Sequence, residues 1–164
     1  MARSHASPGR ALRDAWQRLH ALPGGRTLFS VGLGRFVPYS GSIGARVQLL
    51  EPGFARVSLR DRRAVRNHLQ SVHAVALVNL LELTSGLAML AGLPDELRAI
   101  VLHLETDFVK KARGPLVAEC RCTPPTERRE QECWLAPAIT DAAGDVVARG
   151  RVRWLVRPAP PHHA

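Results

Sequence analysis

The sequence predicts an α+β fold: a curved antiparallel sheet wrapped around a long central helix, with an N-terminal helical extension. Three observations predict it. The segment 71–90, SVHAVALVNLLELTSGLAML, is apolar on nearly every side, and a helix of that kind belongs inside a fold, covered by other elements. The stretches on either side of it are strand material separated by Gly, Pro and Asp turns. The first 36 or so residues carry helical periodicity instead. Helices, a hairpin, one buried helix and then three or four strands fit a sheet curled around that helix.

Residues 1–9 are expected to be flexible, and residues 10–36 to hold the N-terminal helices. A first helix is expected from Pro8 to Leu22, with Leu12, Ala15, Trp16 and Leu19 on one stripe and Pro8 in the first turn. Pro23, Gly24 and Gly25 end it. Leu28, Phe29, Val31 and Phe36 predict a short second helix, and Pro38-Tyr39-Ser40-Gly41 predicts a loop. Ala45–Leu50 and Phe54–Leu59 form a hairpin around Pro52-Gly53, with one wet face. An arginine-heavy connection, Arg60–Gln70, feeds the central helix, which Gly92 and Pro94 stop. Strands are expected over Arg98–Lys110, Leu116–Thr123, Gln131–Thr140 and Val146–Val156, the last two joined through Asp141–Asp145. Residues 157–164 form a proline-rich, flexible tail whose His162 and His163 are expected to be loose. The whole chain, 1–164, is expected to be a single domain.

Composition narrows the class. A chain of 164 residues with 46% apolar and 23% charged residues can bury a core without metals or disulfides. Cys120, Cys122 and Cys133 are an odd number without framework spacing, which argues against a secreted disulfide scaffold. They also fall short of a zinc site, so no metal is expected. No apolar stretch reaches the ~20 residues of a membrane-spanning helix, and the start lacks the apolar core of a secretory signal. An arginine-rich start also fits an organellar transit peptide, but its continuation as an amphipathic helix favours a cytoplasmic protein. The net charge of +9 attracts polyanions, whether nucleic acid, anionic lipid, an acidic carrier or a phosphate-bearing cofactor, and is equally compatible with a solvated basic surface. One tyrosine and no recognisable module make nucleic acid an unfavoured partner.

The central helix carries the candidate chemistry. It holds His73 at its start, then Asn79, Glu82, Thr84 and Ser85. Leu80, Leu81, Leu83 and Leu87 surround Glu82, and no lysine or arginine lies within a helical turn. A carboxylate so placed is either paired by another element or functional. Free N–H groups at the helix start, near Ala74, can polarise a carbonyl. Glu82 could then act as general base on water or as nucleophile. His73 could equally be a cap on the helix end.

Asn67-x5-His73 with His73-x8-Glu82 resembles the N…H-G-G…D/E signature of hot-dog-fold thioesterases of the phenylacetate-pathway (PaaI) type. The likeness extends to PGGRTLF, PYSGSIGARV, EPGFARVSL and FVKKARGPLVAEC, and so covers about Leu12 to Val156. It is nearest to an uncharacterised branch of that superfamily in which HAVALVNLLEL replaces the glycine pair. The resemblance implies a hot-dog fold and hydrolysis of an acyl-CoA or acyl-carrier thioester, with coenzyme A only as part of the substrate and no other cofactor. It places Glu82 at the catalytic carboxylate and Ala74 at the glycine whose N–H faces the thioester carbonyl. Asn67 and His73 take the loop positions that orient water or substrate. Val75, Asn79 and Ser85 are expected to line the substrate site, and Lys110, Lys111 and Arg113 to meet coenzyme A phosphates. The resemblance also implies a homodimer or a dimer of dimers, with two central helices side by side. The chain departs from the pattern at Ala74 and Val75, which keep the backbone N–H but narrow the pocket. The strand IVLHLE also lacks the hydroxyl some relatives carry.

Other readings stand beside this one. Loss of the glycine pair fits a hot-dog protein that binds acyl-CoA or a fatty ligand without turnover. Dehydration of hydroxyacyl thioesters needs a differently spaced histidine–acid pair that is not found. His103, Glu105 and Asp107, sharing one face of a strand, are expected to form a solvated or dimer-facing stripe.

Overall fold

In the computed structural model, residues 7–160 are described. The tail histidines His162 and His163 and residues 1–6 lie outside that range. The chain runs α1 (Pro8–Leu19), α2 (Gly25–Phe36), a single turn α3 (Pro38–Gly41), β1 (Arg46–Glu51), β2 (Phe54–Leu59), α4 (Ala74–Gly92), β3 (Leu97–Phe108), β4 (Leu116–Arg121), β5 (Gln131–Leu135), β6 (Ala138–Thr140) and β7 (Val146–Pro158). All strand pairs are antiparallel, in the order β1-β2-β4-β6-β7-β3, with β5 also on β7. Bulges at Val47/Leu49, Val101/His103 and Ile139/Thr140 interrupt the ladders. Bulges bend and twist a strand, and this sheet curves around α4.

The core sits between sheet and helix. Val57, Leu59, Leu116, Ala118, Ile139, Val152 and Val156 are fully buried on the sheet's inner face. They meet Leu77, Leu80, Leu81, Ala88 and Met89 of α4. Thr84 is also fully buried, and its hydroxyl donates to the Leu80 carbonyl at 2.7 Å, so it is not left unpaired in the apolar interior. At the β1–β2 turn Gly53 has φ +76°, and a Cβ there would stand 2.4 Å from the Cys122 carbonyl oxygen. Only glycine fits that turn.

Of the N-terminal helices, α1 packs against α4, and α2 packs against α1 and the sheet strand β1. Trp16 of α1 stacks on His20 and meets the edge of Phe29 of α2, with ring centroids 5.0 Å apart in the second pair. The hydroxyl of Ser30 in α2 accepts from the Val47 N–H of β1. Asp95, just past α4, clasps the start of α1. It accepts from the Ser7 hydroxyl at 2.7 Å and pairs with Arg10 and Arg13, while Arg13 also donates to the Leu93 carbonyl at 3.0 Å.

Several expected boundaries move. The first helix ends at Leu19, because Leu22 precedes Pro23 and is pushed out of the helical region. Ser7 caps α1 and Gly9 is buried, so residues 7–9 belong to the folded part. At the other end Arg157 and Pro158 pair with β3, and the Ala159 N–H reaches the Glu96 carbonyl. Pro38–Gly41 coils into one helical turn rather than a loop. The central helix begins at Ala74, because the Val72 and His73 amides are committed across the loop to the Ala112 and Val65 carbonyls. The strand expected over Gln131–Thr140 is two strands, since Pro137 cannot donate to the ladder. β3 is an edge strand: β7 pairs one side, and the other has no strand partner among the described residues.

Candidate active site

The entrance to α4 is built by a knot of short loops. The Asn67 carboxamide oxygen accepts from the Leu69 N–H, the Ser71 N–H and the Ser71 hydroxyl at 2.9, 3.2 and 3.2 Å. The oxygen expected to orient water or substrate is thus spent on the loop. Asp61 ties the same loop to the next one, accepting from Arg66 Nε at 2.6 Å and from the Gly114 N–H at 2.9 Å. The Arg66 hydrogen bond holds the Asp61 carboxyl below its usual range. Arg113 reaches back to the Leu69 carbonyl, so the 110–113 segment and the 61–72 loop share one exposed rim.

His73 caps the helix. Its Nδ1 accepts from the Val75 N–H at 3.1 Å. That bond occupies one of the amides a glycine pair would leave open. The Ala74 N–H has no acceptor among the described residues. His73, Ala74 and Val75 are all exposed, Val75 by 51%. Beside them a cavity of about 250 Å³ is lined by Tyr39, Ile43, Val65, Arg66, His73 and Asn79, among others. Asn79 is 7% exposed. Its amide donates to the Tyr39 carbonyl at 3.3 Å, and its buried Oδ1 has no partner.

Glu82 lies elsewhere. It is half-buried on the wall of a cavity of about 560 Å³ between α1, α2, α4 and Trp154 of β7. Among the lining side chains only Glu82 is ionisable, and Ser40 is the other hydrogen-bonding group apart from the Trp154 indole. No cation pairs with Glu82 among the described residues, and burial alone pushes its carboxyl above the ordinary range. The residues expected to work together are thus separated. Ala74 and Glu82 are eight positions apart on one helix, ~12 Å along its axis.

Other expected site residues are placed less favourably. Ser85 is fully buried, and its hydroxyl donates to the Glu82 carbonyl at 2.8 Å, the back-bonding habit of serine in a helix, so it is not free to meet a substrate. Lys110 is held between Asp141 and Asp145, each at 2.7 Å, which neutralises it and raises its own pKa. Lys111 and Arg113 remain exposed at the rim. His103, Glu105 and Asp107 are exposed on β3, His103 edge-on to Trp134 and Glu105 paired with Arg151. Sequence reasoning missed the Asp95 clasp and the Trp154 wall. It also missed Thr106, a half-buried hydroxyl without a partner one residue beyond IVLHLE. Strand alternation was the signal for Thr106; the clasp had none.

The cysteines offer no nucleophile. Burial pushes the Cys120 thiol up to about 12 and Cys122 up to about 11, and burial raises Cys133 as well. Among the described residues no three His, Cys, Asp or Glu side chains gather as a metal site. Contrary to the expectation that no apolar stretch is long enough, α4 is the one described helix long and apolar enough to cross a bilayer, with 67% of its apolar window buried inside the protein, as befits a core helix.

A curved antiparallel sheet closed around one long helix is the hot-dog fold, an architecture shared with proteins of the thioesterase type. The comparison with known families narrows the class. The chain belongs to the family described as domain of unknown function DUF4442, which matches residues 25–156. No significant match is found among curated proteins. A structural-genomics target of known structure is similar, with a TM-score of 0.79 at 26% identity over 91% of this chain and 99% of that one. A Pseudomonas aeruginosa protein of unknown function, with thioesterase as its suggested activity, superposes with a TM-score of 0.72 at 28% identity, covering 84% of this chain and 97% of that one. A Mycobacterium tuberculosis protein with esterase as its suggested activity gives 0.66 at 26% identity, over 76% and 99%.

Proposed function

We propose that the protein hydrolyses an acyl thioester, carried by coenzyme A or an acyl-carrier protein, with Glu82 as the reactive carboxylate. One observation carries the reading: Glu82 stands unpaired on the wall of a large apolar cavity. A carboxylate in such a setting is basic enough to draw a proton from water. The resulting hydroxide adds to the thioester carbonyl. The tetrahedral oxyanion is held by backbone N–H, then collapses and expels the carrier thiolate, which takes up the proton. In the nucleophilic variant the Glu82 oxygen itself adds, and water later cleaves the anhydride.

The oxyanion donor belongs to a second copy of the chain. Both groups must lie within about 3 Å of the reacting atoms, and ~12 Å of helix separates Ala74 from Glu82 in one protomer. The open edge of β3 and its exposed Ile100, Leu102 and Phe108 suit a homodimer, or a dimer of dimers, built by extending the sheet. Lys111 and Arg113 are the basic groups left to meet carrier phosphates. The proposed compartment is the cytoplasm.

The experiment is hydrolysis of a panel of acyl-CoAs by the wild type and Glu82→Gln. Loss of turnover in the variant with retained binding supports the assignment. Equal rates overturn it. One observation favours a second reading, a hot-dog protein that binds the acyl ligand without turnover: the Val75 side chain and the His73–Val75 bond crowd the helix start. Ligand binding with no hydrolysis by the wild type, across the whole panel, selects that reading.

A further inference from the structure

The cavity that holds Glu82 has a far end, and α1 closes it. Along α4 its wall is Glu82, Leu83, Gly86, Leu87 and Leu90, a single stripe ~12 Å long. Opposite, α1 contributes Pro8, Ala11, Leu12, Ala15 and Leu19, again one helical stripe. The two helices close on each other where Gly9 seats against the last turns of α4. A Cβ on Gly9 would lie 2.8 Å from the Leu90 carbonyl oxygen. Asp95 fastens that seat through Ser7, Arg10 and Arg13. α1 lies ahead of residues 25–156, the span over which the family matches, and α2 lies within it.

We infer that α1 and α2 form an acyl-length gauge: a straight fatty chain lies along α4 from Glu82 toward Leu90, and the seat of Gly9 on α4 limits its length. The inference rests on the thioesterase reading only for where the thioester group sits. A concave apolar space of about 560 Å³ is of a size that encloses one small ligand, and an acetyl group would leave most of it empty. A closed end suits a chain terminus rather than a through-running peptide. Gly32 interrupts the α2 stripe of Leu28, Phe29, Leu33 and Phe36, and a Cβ built on it meets nothing within 4 Å. Gly86, by contrast, has Trp154 3.1 Å from its would-be Cβ, so the opposite wall is already filled.

The test titrates the full-length protein with free fatty acids of graded length by calorimetry, beside acyl-CoA hydrolysis over the same lengths. Wild-type affinity is expected to rise with length and then stop rising. Gly32→Leu, which adds a bulky side chain at a lining position of the groove, is expected to weaken the longest acid that fits by about tenfold and leave the shortest unchanged. Leu90→Ala, which deepens the closed end, moves the cut-off to longer chains. Gly32→Ala is the folding control, and sedimentation of each variant reports its assembly. The inference falls if both variants keep the wild-type length profile, if wild type binds no acid of any length, or if Gly32→Leu changes assembly in place of length preference, which would make the groove a seat for a second copy. A moved length profile with undiminished hydrolysis in Glu82→Gln removes the catalytic assignment and leaves the gauge standing. The reverse pattern removes the gauge and leaves the assignment.

Discussion

The two ends of α4 face opposite environments. At its start, exposed backbone, His73, Arg66 and the 110–113 segment gather around short hydrogen-bonded loops. Less than one turn past Asn79 the surroundings are hydrocarbon, and Glu82 is the sole ionisable group on the wall. A single apolar sequence therefore serves two purposes: its first turn presents donors to solvent, and its middle removes a carboxylate from it. Polar recognition and carboxylate activation need different dielectrics, and one helix supplies both by passing from the rim into the core.

The sharpest way to break this contrast is at the dry end. Glu82→Gln is expected to lower kcat by ~10²–10⁴-fold, the usual worth of a positioned acid–base group, as read from acyl-CoA turnover. Because burial raises its pKa, the wild-type rate should fall as pH drops through a midpoint above that of an ordinary glutamate, where the base becomes protonated. A pH–rate profile with its acid limb at the ordinary carboxylate value would place the working group in water.

The wall that makes that end dry comes next. The Ser7 hydroxyl, then Arg10 and Arg13, hold Asp95 down to about 2. A depressed carboxyl stabilises the fold above its unfolded pKa and loses that contribution as pH falls toward the folded value. The unfolding free energy from denaturant titrations should therefore fall between about pH 4 and pH 2 by on the order of 1 kcal/mol, because water screens these surface pairs, and Asp95→Asn should flatten that drop. A slope that survives Asp95→Asn would assign it to another carboxylate.

At the wet end the effects are smaller. Lys111→Ala with Arg113→Ala should raise KM for acyl-CoA by about tenfold at low salt and leave kcat unchanged, with the difference shrinking as ionic strength rises. Smallest is the stability cost of Glu82 itself. Its raised pKa means the ionised form opposes folding, so Glu82→Gln should raise Tm at neutral pH and give no gain below the ordinary carboxylate range, by calorimetry.

Much of the dry end was legible in the sequence. SVHAVALVNLLELTSGLAML has no polar face, and Glu82 stands out within it because no cation lies a turn away. The sheet strands were legible from alternation, and Pro137 carried a readable warning that Gln131–Thr140 could not run unbroken. What escaped is long-range. Asp95 meets Arg10 across 85 positions, and Lys110 meets Asp145 across 35, so neither pairing leaves a local trace. Asn67 was expected to orient water or substrate, but a side-chain oxygen that organises its own loop looks in sequence like one aimed at a ligand.

The suppressed thiols have a practical consequence. A folded chain keeps Cys120 and Cys122 protonated and sheltered, so alkylating reagents at neutral pH meet almost no thiolate until the sheet opens. Their labelling rate is then a built-in clock for rare excursions of β4 and its neighbours from the native state, readable by mass without any introduced probe.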